Sequence, residues 1–567
     1  MDFKLEVAKL IANAATLDLE TIAEAIEIPP NPDLGDFAFP CFRLAKTLRK
    51  APPIIAQEIK QNIEMPDFLA SVEIAGAYIN FFVKRDFYAE EVLRKIFEQG
   101  ANFGRQNLGN GGCVVIDYSH PNMAKPFHVG HLRSTVIGHA LYNIFNFLGY
   151  RSFSINYLGD WGTQFGKVIA AYENWGSKEE VDAGGIAELN RLYVKFHVEV
   201  EADKTLDEQA RAWHMKMEQG DEYALALWHW FKEISMKEYA AIYRLFDIDF
   251  DSYQGESFYN DKMSPVVERL RESGLLTESD GAMIVELEEH KMPPCLILRS
   301  DGGTLYATRD ITSVLHRKEA YNFVKALYVT SHEQILHFAQ VFKVIELMGH
   351  DFELMHVPFG YMNLPGGKMS TRKGNVLLMQ DLLDQTIDKI KGIIEEKNPD
   401  LKDKEVVAQQ VGIGAVIFND LYNSRIKDVE FSWERMLSFE GETGPYVQYT
   451  HARCCSVLNK AVGATALGRP FADANLGLLT DAAEFELIKI LNGFPEKIAE
   501  AAEKYEPFII SRFVMQLAQA FNKFYRDNPI LRAEEELKKA RLHLTHCTKT
   551  VIAAALNLLG IKAPQEM

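Results

Sequence analysis

Apolar residues along this chain change their spacing several times, and each change marks an element. Leu5, Leu10 and Ile11 fall at helical spacing and predict an amphipathic helix at the start. A turn follows at Pro29-Pro30-Asn31-Pro32-Asp33-Leu34-Gly35-Asp36. Arg43, Lys46, Arg49 and Lys50 then recur at roughly helical spacing and predict a locally basic helix. The alternation in Ala77-Tyr78-Ile79-Asn80-Phe81-Phe82-Val83 predicts a strand. Residues 100–112 are dense in Gly and Asn and mark a boundary. Beyond it, residues 113–118 read as a strand. From about His131 to Leu148 the positions Leu132, Val136, Ala140, Leu141, Ile144, Phe145 and Leu148 keep the helical period, and Gly149 ends it. A second strand follows at 152–157. Strand, helix and strand form the unit of a parallel sheet, whose ligand sites lie at the C-terminal ends of the strands. Residues 172–290, rich in charge and Trp and mostly helical, read as an insertion. The alternation resumes with strands at 295–298 and 325–330 and a helix at 337–347. From about 436 the pattern is helical to the end.

Composition refines this picture. The chain has 567 residues, 47% apolar and 25% charged, as expected of a globular protein with a large core. We divide it into three domains: 1–110, α+β; 111–435, α/β with the insertion; and 436–567, all-α. Its longest apolar stretches run to about ten residues, half of what a bilayer requires, and residues 1–6 do not resemble a signal peptide. Six cysteines without a Cys-x-x-Cys pair argue against a disulfide scaffold or a cysteine zinc site. Cys454 and Cys455 are expected as buried thiols, and a cytoplasmic home follows. The net charge of −18 is unusual for a nucleic-acid binder, so an RNA role needs local basic faces. One candidate is the Arg43–Lys50 run. Another is Phe521, Lys523, Phe524, Tyr525 and Arg526 with Lys538, Lys539 and Arg541, where aromatic and cationic residues would suit a single-stranded loop. The same residues also fit the solvated face of a helical bundle.

Two stretches carry chemistry. In the first, Asp117-Tyr118-Ser119-His120-Pro121-Asn122-Met123-Ala124-Lys125-Pro126-Phe127 leads into His128-Val129-Gly130-His131 at the start of a helix. A helix N-terminus offers partial positive charge and free N–H groups to a phosphate. Two imidazoles there can donate to phosphoryl oxygens, and Gly130 admits a flat ring close to the backbone. On spacing alone the histidines also read as helix-start residues or metal ligands. In the second stretch, Gly366-Gly367-Lys368-Met369-Ser370-Thr371-Arg372-Lys373-Gly374-Asn375, three cations fall within six residues. That suits a polyphosphate clamp, or a solvated basic turn. The Walker spacing is missing, and His332-Glu333 with His337 is one residue too long for His-Glu-x-x-His.

Together the two stretches resemble the HIGH and KMSKS words of class I aminoacyl-tRNA synthetases. Three further words narrow the resemblance to the arginyl-tRNA synthetase family: Ser119-His120-Pro121-Asn122, the run from Asn156-Tyr157-Leu158-Gly159-Asp160-Trp161 to Gly166, and Gly444-Pro445-Tyr446-Val447-Gln448-Tyr449-Thr450-His451-Ala452-Arg453. The resemblance spans essentially the whole chain. It implies a Rossmann-like parallel-sheet catalytic domain, an N-terminal added domain that contacts the tRNA elbow, and a C-terminal helical anticodon-binding domain whose motif region is Lys539-Ala540-Arg541-Leu542.

The implied reaction activates arginine with ATP and passes it to the terminal adenosine of its tRNA, with activation generally waiting for the tRNA. By the resemblance, His128, Gly130 and His131 bind ATP, and Lys125 adds a phosphate contact. Lys368, Met369, Ser370, Arg372 and Lys373 hold pyrophosphate. Thr371 stands where the family has its second lysine, which places the catalytic cation on Lys368. Asp117, Asn122, His131, Tyr306, Asp310 and Gln334 line the arginine pocket, with Asp310 on the guanidinium; the family often has Glu where Asp117 stands. Tyr306 and Asp310 are four apart and share a face if helical, although Asp310 alone would also read as a helix-start cap. Mg²⁺ is expected with the nucleotide, no resident metal and no membrane are expected, and the chain is expected to be a monomer.

Overall fold

The structure is a computed structural model that describes residues 1–29, 31–363, 377–462 and 471–567. It divides into two compact units. One comprises Met1–Phe103, Arg453–Phe494 and Gln516–Val551, and the other comprises Gly104–Ala452, Pro495–Met515 and Ile552–Met567.

The second unit holds the parallel sheet. The elements of that unit that frame the site, in chain order, are β1 (Cys113–Asp117), α1 (Val129–Phe147), β2 (Arg151–Ile155), α2 (Glu222–Phe246), α3 (Tyr306–Tyr321), β3 (Lys325–Tyr328), α4 (Ile335–Leu347), β4 (Leu354–His356) and α5 (Lys404–Leu421). The strand order is β4-β3-β1-β2, all parallel, with Val115 opposite both Phe153 and Ala326. All five residues of β1 are buried, as a central parallel strand requires. Val115, Ile155, Ile311, Val314, Ala326, Phe338, Val341 and Val344 share one core. That core fixes α3 and α4 against the sheet.

Residues 295–298 depart from the expectation. Cys295–Leu298 belongs to a separate antiparallel sheet with Ala282–Val285 and Leu276–Ser279. Asp280 and Gly281 both have positive φ, the geometry of a tight hairpin turn. A four-residue apolar run does not reveal whether its partner is parallel or antiparallel. The insertion itself is mainly helical, with Lys178–Ala202 kinked at Gly185 (φ 56°), then Thr205–Glu218 and α2.

The first unit carries an antiparallel sheet in the order Phe37–Pro40, Tyr78–Val83, Leu69–Ala75. The helix Phe3–Ala15 is capped by the Asp2 side chain. The expected basic helix is instead a 3₁₀ turn at Cys41–Leu44 and one α-turn at Ala45–Leu48, ended by Arg49 at φ 54°. From Gly444 on, the longer elements are helical: Gly444–Val462, Ala482–Asn492, Phe494–Glu503, Phe508–Asp527 and Glu535–Leu558.

Candidate active site

The loop from β1 to α1 adopts a conformation that ordinary residues avoid. Ser119, His120 and Ala124 have φ of 83°, 52° and 59°, each costing on the order of 1 kcal/mol. Helix α2 holds the loop in place. The Tyr239 hydroxyl donates between the carbonyls of Asn122 (2.8 Å) and Lys125 (2.5 Å), and Ser235 Oγ accepts the Ala124 N–H at 2.9 Å. The Tyr243 hydroxyl meets Ser119 Oγ at 2.7 Å and accepts from Asn156 Nδ2 at 2.9 Å.

Helix α1 then opens with a capping box made of its two histidines. His128 Nδ1 accepts the Gly130 N–H at 3.0 Å, and His131 Nδ1 accepts the His128 N–H at 3.2 Å; the ring centroids are 4.0 Å apart. With each Nδ1 an acceptor, each neutral ring carries its proton on Nε2. Burial, with the charge of Lys125, pulls His128 down to about 4. Burial and the adjoining His128 hold His131 well below the usual imidazole range. Both rings are therefore neutral Nε2–H donors at pH 7.

The backbone N–H groups that a helix start would offer a phosphate are already taken. Val129 donates to Leu377 O, Gly130 to His128 Nδ1, and His131 to His128 O. An anion bound here would have to rest on the imidazoles and the helix dipole instead of these amides. A Cβ on Gly130 would sit 2.7 Å from His128 Cε1, so the flat ring this glycine admits is His128's own. Leu378 also bridges to His128, and Met379 N–H donates to Phe127 O. Lys368, Met369, Ser370, Thr371, Arg372 and Lys373 lie outside the described residues.

Asp117 sits buried at the end of β1. Its Oδ2 is 2.6 Å from Arg317 Nη1 on α3, and its Oδ1 is 2.5 Å from His120 Nε2. Burial raises its pKa, but Arg317 and His120 more than offset this and hold the carboxyl below its ordinary range. Both oxygens are thus engaged by the chain itself. Asp117 ties the loop of the histidines to the helix of Asp310. Asn122 is exposed and bridges to Gly159. Lys125 Nζ lies 4.8 Å over the Tyr193 ring.

Tyr306 and Asp310 do fall on one helix, α3. Tyr306, at its first residue, is 67% exposed. Asp310 Oδ2 is 2.6 Å from His337 Nε2 on α4. Gln334 is exposed in the 3₁₀ turn that leads into α4.

The sequence reading missed Glu256, which opens the turn Glu256–Tyr259. Its side chain is 15% exposed, and its Oε2 lies 3.9 Å from Arg309 Nη1. Burial lifts its pKa to about 7 against the pull of Arg309, and Asp310 and Asp160 push the same way. A largely covered carboxyl whose pKa is raised by burial and by Asp310 is a candidate ligand for one more cation. Gly255 makes the approach possible, because a Cβ there would meet Asp160 Oδ1 and Leu158 O at 2.6 Å. That Gly-Glu pair was the only sequence signal.

The RNA candidates separate by burial. Phe521, Phe524 and Arg541 are buried, and Arg541 Nε pairs with Glu484 at 2.7 Å. Tyr525 is exposed, with Arg453 5.4 Å over its ring. Lys523, Arg526, Lys538 and Lys539 pair with Glu486, Asp527, Glu535 and Glu536, so the local arrangement is that of a bundle with a charged outer face. Arg43, Lys46, Arg49 and Lys50 are all exposed. The six cysteines are free and buried.

Three family models match the chain: the catalytic domain of class I (R) tRNA synthetases over 92–433, the DALR anticodon-binding domain over 447–567, and the arginyl-tRNA synthetase N-terminal domain over 1–83. Among curated relatives, the arginine–tRNA ligases of Alkaliphilus metalliredigens and Halothermothrix orenii are 53% and 51% identical, each over 100% of both chains. Among solved structures, the arginyl-tRNA synthetase of Thermus thermophilus superposes with a TM-score of 0.83 at 26% identity, over 99% of each chain.

Proposed function

The chain belongs to the class I arginyl-tRNA synthetase family, and from that premise we infer how its side chains divide the work. The reaction is the ligation of arginine to its tRNA. The arginine carboxylate attacks the α-phosphate of ATP, giving arginyl-adenylate and pyrophosphate. A hydroxyl of the terminal adenosine then attacks the arginyl carbonyl, and AMP leaves. Neither step needs a covalent bond to the enzyme, so the protein's part is to position the reactants and stabilise charge.

His128 and His131 bind ATP through their Nε2–H groups. They stay neutral, and their bonds strengthen as negative charge grows on the reacting phosphoryl oxygens. Lys125 adds positive charge beside them. Lys368, Arg372 and Lys373, with Met369 and Ser370, hold the leaving pyrophosphate. Asp310 and Glu256 grip the guanidinium, a fork that suits two carboxylates. Tyr306, Gln334 and Asn122 supply the remaining pocket contacts. Asp117 works by orienting His120 and Arg317. The observation that carries this reading is the pair of contacts made by the buried Asp117 carboxylate, one to His120 in the loop that leads to His128 and His131 and one to Arg317 on the helix of Asp310.

The test is ATP–pyrophosphate exchange by the full chain with arginine and tRNA. His131→Ala should slow it by more than about tenfold; an unchanged rate would reduce His131 to a helix cap.

Mg²⁺ suits the oxygens of the triphosphate, the hard ligands it prefers, where it would neutralise phosphate charge. Among the described residues no three His, Cys, Asp or Glu side chains gather at a metal site. Among the described residues, no helix is long and apolar enough to cross a membrane. We place the enzyme in the cytoplasm as a monomer, with 1–110 at the tRNA elbow, 111–435 catalytic and 436–567 at the anticodon.

A further inference from the structure

We propose that His337 is a positioning residue for arginine recognition, holding one oxygen of Asp310 so that the other meets the substrate's guanidinium in a fixed plane. This rests on the reading of Asp310 as a guanidinium ligand and extends it to a residue outside the HIGH-like and KMSKS-like words.

The geometry begins with a shared oxygen. His337 Nε2 donates to Asp310 Oδ2 at 2.6 Å, and both side chains are largely covered, at 29% and 20% exposed. A lone aspartate turns about its last side-chain bond, so its carboxylate plane is ill defined. A hydrogen bond to Oδ2 in that plane removes the freedom and leaves Oδ1 for the incoming fork.

The donor is firmly mounted. Its neighbour Phe338 is buried, 5.1 Å from the Tyr328 ring and 4.8 Å from His356. Val341, Val344 and Ile345 bury the same face of α4. The acceptor is mounted as well. Ala307, Ile311 and Val314 pack α3 into the core, and Thr308 Oγ1 donates to Ile297 O. The two helices thus bring donor and acceptor together from separate rigid supports, the arrangement a precise binding group needs. His337 itself is not buried in the core, so its ring is not required to fill space there.

A hydrogen bond to a charged group in a partly covered site is worth about tenfold in affinity. His337→Ala should therefore raise the KM for arginine about tenfold in tRNA charging by the full chain, with the KM for ATP within about twofold and kcat nearly unchanged. His337→Gln places an amide N–H near the position of Nε2 and should recover most of the loss. The same kinetics on Asp310→Ala and on the double variant complete a cycle. The expected result is that His337→Ala adds nothing once Asp310 is gone. If Asp310→Ala leaves the arginine KM alone, the reading of Asp310 itself fails. If Asp310→Ala raises it and His337→Ala does not, or if His337→Ala raises the arginine and ATP KM values alike, only the positioning role fails. Loss of His337 that costs as much without Asp310 as with it also overturns the proposal.

Discussion

If Glu256 meets the guanidinium as proposed, arginine affinity should be linked to a proton. The carboxyl titrates near 7 in the free chain because burial outweighs Arg309. A guanidinium set against it favours the charged form, so binding expels the proton. If only the ionised form grips arginine, the competent fraction is about 0.09 at pH 6 and about 0.91 at pH 8. Apparent affinity should therefore rise about tenfold between those values. The two histidines do not interfere, since burial holds both below that range. Calorimetric titration of arginine into the full chain at pH 6, 7 and 8, in buffers of different ionisation enthalpy, should show release of about half a proton at pH 7. Glu256→Gln should flatten the profile and abolish the release.

The same residue has a stability signature of fixed sign. Its folded pKa lies above the ordinary carboxyl value of 4.5, so between 4.5 and 7 the folded chain keeps a proton the unfolded chain has lost. That contribution is fully present below 4.5 and is lost as pH rises through 7. Glu256→Gln should therefore raise the melting temperature at pH 8 and barely change it at pH 4.5, while weakening arginine binding. A flat affinity profile in the unaltered chain, or a slope that survives Glu256→Gln, would refute the assignment.

Asp310→Ala should raise the arginine KM by about thirtyfold or more, the scale of a lost charge pair in a binding site, and leave the ATP KM within about threefold; steady-state charging with each substrate varied decides it. Arg133 is buried in α1, 2.8 Å from Asp420 on α5, and donates to the carbonyls of Gly360 and Lys427. Arg133→Ala strands a buried carboxylate and should cost about 3 kcal/mol or more, seen as a lower melting temperature, whereas Arg133→Met with Asp420→Leu should recover much of it. Pyrophosphate exchange should be slight without tRNA and strong with it; robust exchange by the tRNA-free enzyme would contradict that expectation.

Much of this was legible in residue order, and the rest was not, for definite reasons. The period of α1 stands out because one of its faces is buried along its whole length. Its start at Val129 was obscured because the cap is His128, a residue rarely read as one. The run at 295–298 was read as part of the main sheet because four apolar residues carry no record of their partner. The buttress from α2 was invisible, since Tyr239 and Tyr243 reach the loop across more than 100 residues of chain. The occupation of Asp117 by Arg317 spans 200 positions, and Glu256 becomes notable only through burial, which order alone does not reveal. Sequence words locate chemistry well where it is local. They fail where it depends on which distant group removes water or supplies a charge.

The most direct test is a crystal structure of the full chain with a non-hydrolysable arginyl-adenylate analogue. The guanidinium should lie within about 3 Å of Asp310 and Glu256, with Asp310 still bonded to His337, and the phosphate mimic within reach of Nε2 of His128 and His131. A side chain lodged away from those two carboxylates, with the phosphate mimic remote from the histidines, would contradict that placement.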